Sequence, residues 1–216
     1  MTIALQDWGR TRYREAYDKQ LTLVQQRRDN LIGDTLVFTE HEPVYTIGRR
    51  RDARQNLLLD AQALAERGID LVETTRGGDI TYHGPGQLVG YAIISLDHRR
   101  DLHQFLRDIE QALINALGTL GLAADRRKGL TGIWLEQRKI AAIGIAVSRW
   151  VSYHGFALNV DPNLADFGGI IPCGITSTEG SVTSLSAELN DLYPSMNEVK
   201  SVVFAEFKKT FVEVSD

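Results

Sequence analysis

The middle of the chain leaves no room for helices between its strands. β-rich runs at 133–135, 140–148 and 153–160 are separated only by Glu136-Gln137-Arg138-Lys139 and by Arg149-Trp150. A parallel crossover needs about a dozen residues or more, whereas a hairpin turn needs only a few, so these runs must pair antiparallel. Further runs at 36–39, 69–72 and 88–96 supply more strands. Helical spacing appears in Tyr13, Tyr17, Leu21 and Val24, and again in Leu102, Phe105, Leu106, Ile109, Leu113, Ala116, Leu117 and Leu120, where Asp101 and Gln104 form a cap pair. A last helix is announced by Ser195 and Glu198 at capping-box spacing after Pro194, with Val199, Val203, Phe207, Phe211 and Val214 on one face. The expected class is α+β, or α/β on a looser definition: a mixed, largely antiparallel sheet covered by helices.

Neither repeats nor linker-like stretches break the 216 residues, and 43% hydrophobic content is enough for one sizeable core, so residues 1–216 are expected to form a single domain. No apolar run approaches the roughly 20 residues of a membrane span, and Asp7 interrupts any signal-peptide core, which points to a cytoplasmic protein without a membrane partner. A net charge of −4 disfavours nucleic acid, although Arg49, Arg50, Arg51 and Arg54 form a basic cluster suited to an acidic partner or simply to solvent. The lone Cys173 has no internal disulfide partner.

Two segments carry chemistry. The first, Arg76-Gly77-Gly78-Asp79-Ile80-Thr81-Tyr82-His83-Gly84-Pro85-Gly86-Gln87, combines four glycines with Arg, Thr, His and Gln, so the backbone can approach a ligand while polar groups orient it. A turn-rich hairpin with incidental polar residues is the plain alternative. The stretch matches neither nucleotide-binding glycine pattern, so no ATP requirement follows. In the second, Gly168-Gly169-Ile170-Ile171-Pro172-Cys173-Gly174-Ile175, the thiol sits between proline and glycine, as at a turn or strand end. A nucleophilic thiolate needs a base or cation nearby. His83, His154 and Lys139 are all candidates, and spacing does not choose among them. No Cys or His spacing indicates a metal site.

These segments together resemble one family. The glycine-rich loop with Tyr91, then Arg138-Lys139-Ile140-Ala141-Ala142-Ile143-Gly144, His154-Gly155-Phe156-Ala157-Leu158-Asn159-Val160 and Pro172-Cys173-Gly174-Ile175, are similar in content and order to the lipoyl(octanoyl) transferases, across about residues 36–190. The resemblance implies a fold like the biotin and lipoate protein ligase catalytic domain, no cofactor, and an acyl-enzyme on Cys173 with Lys139 as the cation that lowers the thiol pKa and moves protons. It places substrate contacts on Arg76, Gly77, Gly78, Asp79, Ile80, Thr81, Tyr82 and His83, on Ala142, Ile143 and Gly144, and on Gly155, Phe156 and Ala157. The implied donor is octanoyl-acyl carrier protein; the implied acceptors are lipoyl domains of 2-oxoacid dehydrogenases and the glycine cleavage H protein. Backbone N–H groups near Gly174 or Gly78 are expected to hold the oxyanion, and Ala142, Ile143, Gly144, Phe156 and Ala157 to line the acyl slot. An ATP-dependent lipoate or biotin ligase, and a non-catalytic module binding carrier protein or lipoyl domain, are the competing expectations.

Overall fold

A computed structural model describes residues 2–171 and 180–212, apart from the side chains of Asp191 and Val212. The large sheet is built from β1 (Ala4–Thr11), β2 (Thr35–His41), β6 (Gln87–Ile93), β10 (Val151–Asn159), β9 (Arg138–Ser148), β8 (Leu130–Leu135) and β7 (Asp125–Arg127), in that spatial order, with β11 (Ser181–Val182) beside β9. A smaller sheet of three strands joins β4 (Asp70–Glu73), β3 (Val44–Ile47) and β5 (Thr81–His83). Among the described residues parallel pairing is confined to β1–β2, β3–β4 and β11–β9; the remaining ladders are antiparallel. The helices are α1 (Tyr13–Arg28), α2 (Ala61–Arg67), α3 (Leu102–Thr119), α4 (Leu185–Leu189) and α5 (Met196–Val212).

Both faces of the large sheet are covered, and the period of two along its strands divides the core accordingly. Leu36, Phe38, Leu88 and Ala92 face α3 and α5, whereas Val37, Val89, Tyr91 and Ile93 face α1. Ser195 and Glu198 form the anticipated reciprocal cap, with Ser195 N donating to Glu198 Oε2 at 2.8 Å and Glu198 N donating to Ser195 Oγ at 3.4 Å. Val199, Val203 and Phe207 of this helix are fully buried; Val214 lies outside the described residues. On α1 the buried stripe is Tyr13, Ala16, Gln20, Leu23 and Val24, and the expected Leu21 is exposed.

Two expectations about turns change. The turn between β8 and β9 is only Glu136-Gln137, so Lys139 belongs to β9 and is buried, not a solvated hairpin cation. The glycine-rich loop is not a hairpin either: β5 pairs with β3 in the small sheet, while β6 runs through the middle of the large one. Residues 84–86 therefore carry the chain from one sheet to the other. By contrast Arg149 and Trp150 do form the two-residue turn between β9 and β10, both with positive φ (48° and 62°), the twist a tight hairpin requires.

Candidate active site

Where the two sheets meet, the strands enclose a cavity of about 210 Å³. Its walls come from β9 (Ala142, Ile143, Gly144), β10 (His154, Gly155, Phe156, Ala157), β6 (Val89, Tyr91) and the glycine-rich segment (Arg76, Gly78, Asp79, Thr81, His83), with Lys139 at one edge. Most of the residues expected to contact substrate thus converge on one space. Gly77, Ile80 and Tyr82 do not line it. Alternation along β5 explains two of these: Thr81 and His83 face the cavity, while Ile80 and Tyr82 point into a separate core, where the Tyr82 hydroxyl donates to Asp166 at 2.9 Å. Gly77 instead donates its N–H to Ile145 O at 2.8 Å and so pins the loop on β9.

Several groups serve as struts. Asp79 accepts from Asn56 Nδ2 at 2.9 Å, from Arg50 Nη1 at 3.1 Å and from its neighbour Ile80 N at 2.7 Å, which ties the loop to residues 50–56. Arg76 is buried, and its guanidinium donates to Thr46 O at 2.6 Å and to Gly77 O at 3.1 Å. That buried positive charge sits among imidazoles. His154 is driven down to about 3 by desolvation and then by Arg76. Burial lowers His41 to about 4, and burial together with His41 and Arg76 holds His83 well below the ordinary range.

Hydrogen bonds agree with neutral rings. His41 Nδ1 meets Thr11 O at 3.1 Å, which can only accept, so this nitrogen carries the proton and Nε2 is left to accept from the Tyr91 hydroxyl. His83 Nδ1 likewise faces Gln87 Oε1 at 3.0 Å; Gln87 Nε2 donates to Asn159 Oδ1 at 2.9 Å, and Asn159 Nδ2 donates to Thr183 O at 2.8 Å. Neutral imidazoles offer no charge to stabilise a thiolate, so held in this form His83 and His154 could serve a thiol only as bases. Their placement is structural as well: His154 has φ 58° inside β10, its N–H bound by Gln20 Oε1 at 2.9 Å.

Lys139 is placed differently. It is 6% exposed, and its Nζ lies 5.4 Å from the centre of the Trp134 ring. Gly132, at φ +124°, makes the space: a Cβ there would come within 2.6 Å of Lys139 Cε, so the aliphatic stem lies against bare backbone. On its other side Val182 of β11 pairs with Lys139, and Thr183 N donates to Lys139 O at 2.9 Å. Cys173 and Gly174, expected as nucleophile and oxyanion donor, lie outside the described residues. Among the described residues no group of three or more His, Cys, Asp or Glu is arranged to hold a metal ion, and no helix is long and apolar enough to cross a membrane.

Sequence reasoning missed Tyr13, His41 and the hairpin residues Gly129, Leu130 and Thr131. Tyr13 looked like an ordinary core position on a helix, yet its ring stacks on His83 at 6.1 Å and its hydroxyl lies 3.5 Å from His154 Nδ1. No local signal separates such a residue from its neighbours on the same stripe. The hairpin tip Lys128-Gly129 is a recognisable turn, but only tertiary pairing brings the next residues to the cavity.

The chain is similar to known proteins along most of its length. Residues 12–208 match the model of the lipoyl protein ligase A/B catalytic domain. An octanoyltransferase of Gloeobacter violaceus is 48% identical over 82% of this chain and 76% of its own length. One from Geobacter metallireducens is 45% identical over 95% of this chain and 92% of its own length. Among solved structures, a bipartite lipoate protein ligase studied with its E2 lipoyl domain, from Thermoplasma acidophilum, superposes with a TM-score of 0.74 at 21% identity, covering 98% of this chain and 84% of that one. The match over residues 12–208, with identities of 45–48% to octanoyltransferases along most of the chain, shows that this chain belongs to the lipoyl protein ligase A/B catalytic-domain family and, within it, is an acyltransferase of the octanoyltransferase group.

Proposed function

We propose that the chain takes an octanoyl group from an acyl-carrier-protein thioester onto Cys173 and passes it to a lysine of a lipoyl domain. In the first half-reaction the Cys173 thiolate attacks the donor carbonyl, a carbon–sulfur bond forms to the enzyme, and the carrier thiolate leaves and takes up a proton. In the second, the acceptor amine attacks the enzyme thioester, the amide bond forms, and Cys173 leaves as a thiolate. Lys139 as a cation favours that thiolate in the resting enzyme; once neutral, it accepts the proton lost by the attacking amine. Exchange of one thioester for another is nearly balanced, and the amide lies lower, so no nucleotide is required.

The observation that carries this reading is the seat of Lys139. Lys139 lines the cavity, and burial, the bare backbone of Gly132 and the Trp134 ring hold its side chain there. Both flanks of the segment that contains Cys173 support it too. Ile171 N donates to Asn56 O at 2.8 Å, beside the Asp79 strut, and Val182 pairs with Lys139 itself. The slot between Ala142, Phe156 and Ala157 suits an alkyl chain: burying about six methylenes contributes roughly 5 kcal/mol at about 0.8 each.

The test is intact-mass measurement after mixing the protein with octanoyl-acyl carrier protein, without nucleotide. A gain of one octanoyl group, labile to hydroxylamine and lost in Cys173→Ala, is expected. No gain, or a gain only when ATP and free octanoate are supplied, overturns the reading. Lys139→Ala is expected to slow both loading and transfer far more than His154→Ala, and equal losses would return the choice of base to the three original candidates.

A further inference from the structure

Two basic segments far apart in sequence meet at the cavity. Arg50, paired with Asp79, lines it, and Arg49 and Arg51 are exposed in the same stretch, where Arg54 is held by Glu73 at 2.6 Å. Lys128, also exposed, immediately precedes Gly129, Leu130 and Thr131, which line it from the β7–β8 hairpin. Behind this hairpin the Arg127 guanidinium lies 5.0 Å from the Trp134 ring, the same ring that faces Lys139. The chain as a whole is negative, at −4, so this positive rim is a local feature and not a general property of the surface.

We propose that this rim, Arg49, Arg50 and Arg51 together with Lys128, is the docking surface for the acyl donor: an acidic carrier protein whose acyl group hangs from a phosphate-bearing thiol arm. The proposal rests on the transferase reading above and assigns one of its two substrates to one surface. Charge decides between them. The donor arm carries a phosphodiester that arginine forks bind well, and an acidic carrier adds further negative charge around it. The acceptor must instead bring a lysine ammonium toward the same cavity, and the exposed cations Arg49, Arg51 and Lys128 repel it. Because these side chains are exposed, their attraction acts over about 8 Å at physiological salt and fades as salt rises. The rim therefore acts on encounter with the donor and leaves the chemical step to the buried groups.

The experiment uses the full chain with Arg51→Glu, Lys128→Glu and the double variant; neither side chain lines the cavity. Three measurements are made on each: kcat/KM for loading from octanoyl-acyl carrier protein, the same from octanoyl-pantetheine, which has neither phosphate nor protein, and KM for the lipoyl-domain acceptor. The double variant is expected to lose about tenfold or more with the carrier-bound donor, as reversal of steering charges does, and to lose less than about twofold with octanoyl-pantetheine. For the wild type, the advantage of the carrier-bound donor should shrink as salt is raised. Equal losses with both donors, no loss with either, or a rise confined to the acceptor KM overturns the assignment while leaving the transferase reading intact. A wild-type protein that is loaded by neither donor overturns both.

Discussion

Acid should weaken this protein through its buried imidazoles, in a window set by their titration. A histidine in an unfolded chain titrates near 6.5, whereas His41 titrates at about 4 and His154 at about 3 in the folded protein. His83 is also held far below its ordinary value. The folded-state values are depressed, so the unfolded chain takes up these protons first. Stability is therefore complete above about pH 6.5 and is lost as the pH falls toward the folded values. At pH 5.0 the gap from 6.5 is one and a half units; at about 1.36 kcal/mol per unit, His41 and His154 each forfeit about 2 kcal/mol. Their combined loss of about 4 kcal/mol, with His83 adding in the same direction, is a large part of the roughly 5–15 kcal/mol that holds a typical domain together.

The carboxylates lowered by partners, Glu188 beside Arg138 and Glu198 in its cap, keep their contribution until the pH falls through about 4 and so stay out of this window. Urea unfolding at steps from pH 7.5 to 5.0 measures the effect. The slope of stability against pH should correspond to uptake of between two and three protons on unfolding, and His41→Gln should reduce it by about one. A midpoint that does not move between pH 7.5 and 5.0 would show that these rings are not held neutral, and the exclusion of His83 and His154 as activating cations would lose its basis.

Three other outcomes follow from the geometry. Ala142→Leu adds three carbons to the slot wall, so preference should shift to shorter acyl chains; about three excluded methylenes correspond to roughly 2.4 kcal/mol, near 60-fold in kcat/KM for octanoyl, and an unchanged chain-length profile would show that the acyl group lies elsewhere. Gly132→Ala places a carbon 2.6 Å from Lys139 Cε, and the displaced amine should lower kcat by about 100-fold with the melting temperature followed in parallel; full turnover in a folded variant would count against the Lys139 assignment. Glu198→Ala removes half of the α5 capping box and should cost about 1 kcal/mol in thermal stability without affecting turnover, whereas a loss of activity at unchanged stability would tie this helix to the site.

Much of the architecture was legible because it rests on local rules. Short turns between 133 and 160 dictated antiparallel pairing, and the Ser195–Glu198 and Asp101–Gln104 pairs marked helix starts that the structure retains. The glycine-rich stretch and the runs at 142–144 and 155–157 were recognisable as motifs. Strands such as β1, β3 and β5 were not, since six of the eight residues of β1 are exposed and the other two strands have only four and three residues. Their pairing depends on partners far along the chain, and no window of sequence records that.

The same division holds for the site. The residues themselves determined which chemistry is available: a thiol, an amine, the imidazoles of His83 and His154, and a glycine-rich backbone. How each group is surrounded was decided only by folding: desolvation and the Arg76 guanidinium favour neutral His83 and His154, and the stem of Lys139 is fitted against Gly132 and Trp134. Charge state is a property of surroundings, and surroundings are assembled from residues more than a hundred positions apart, as Tyr13 and His154 are.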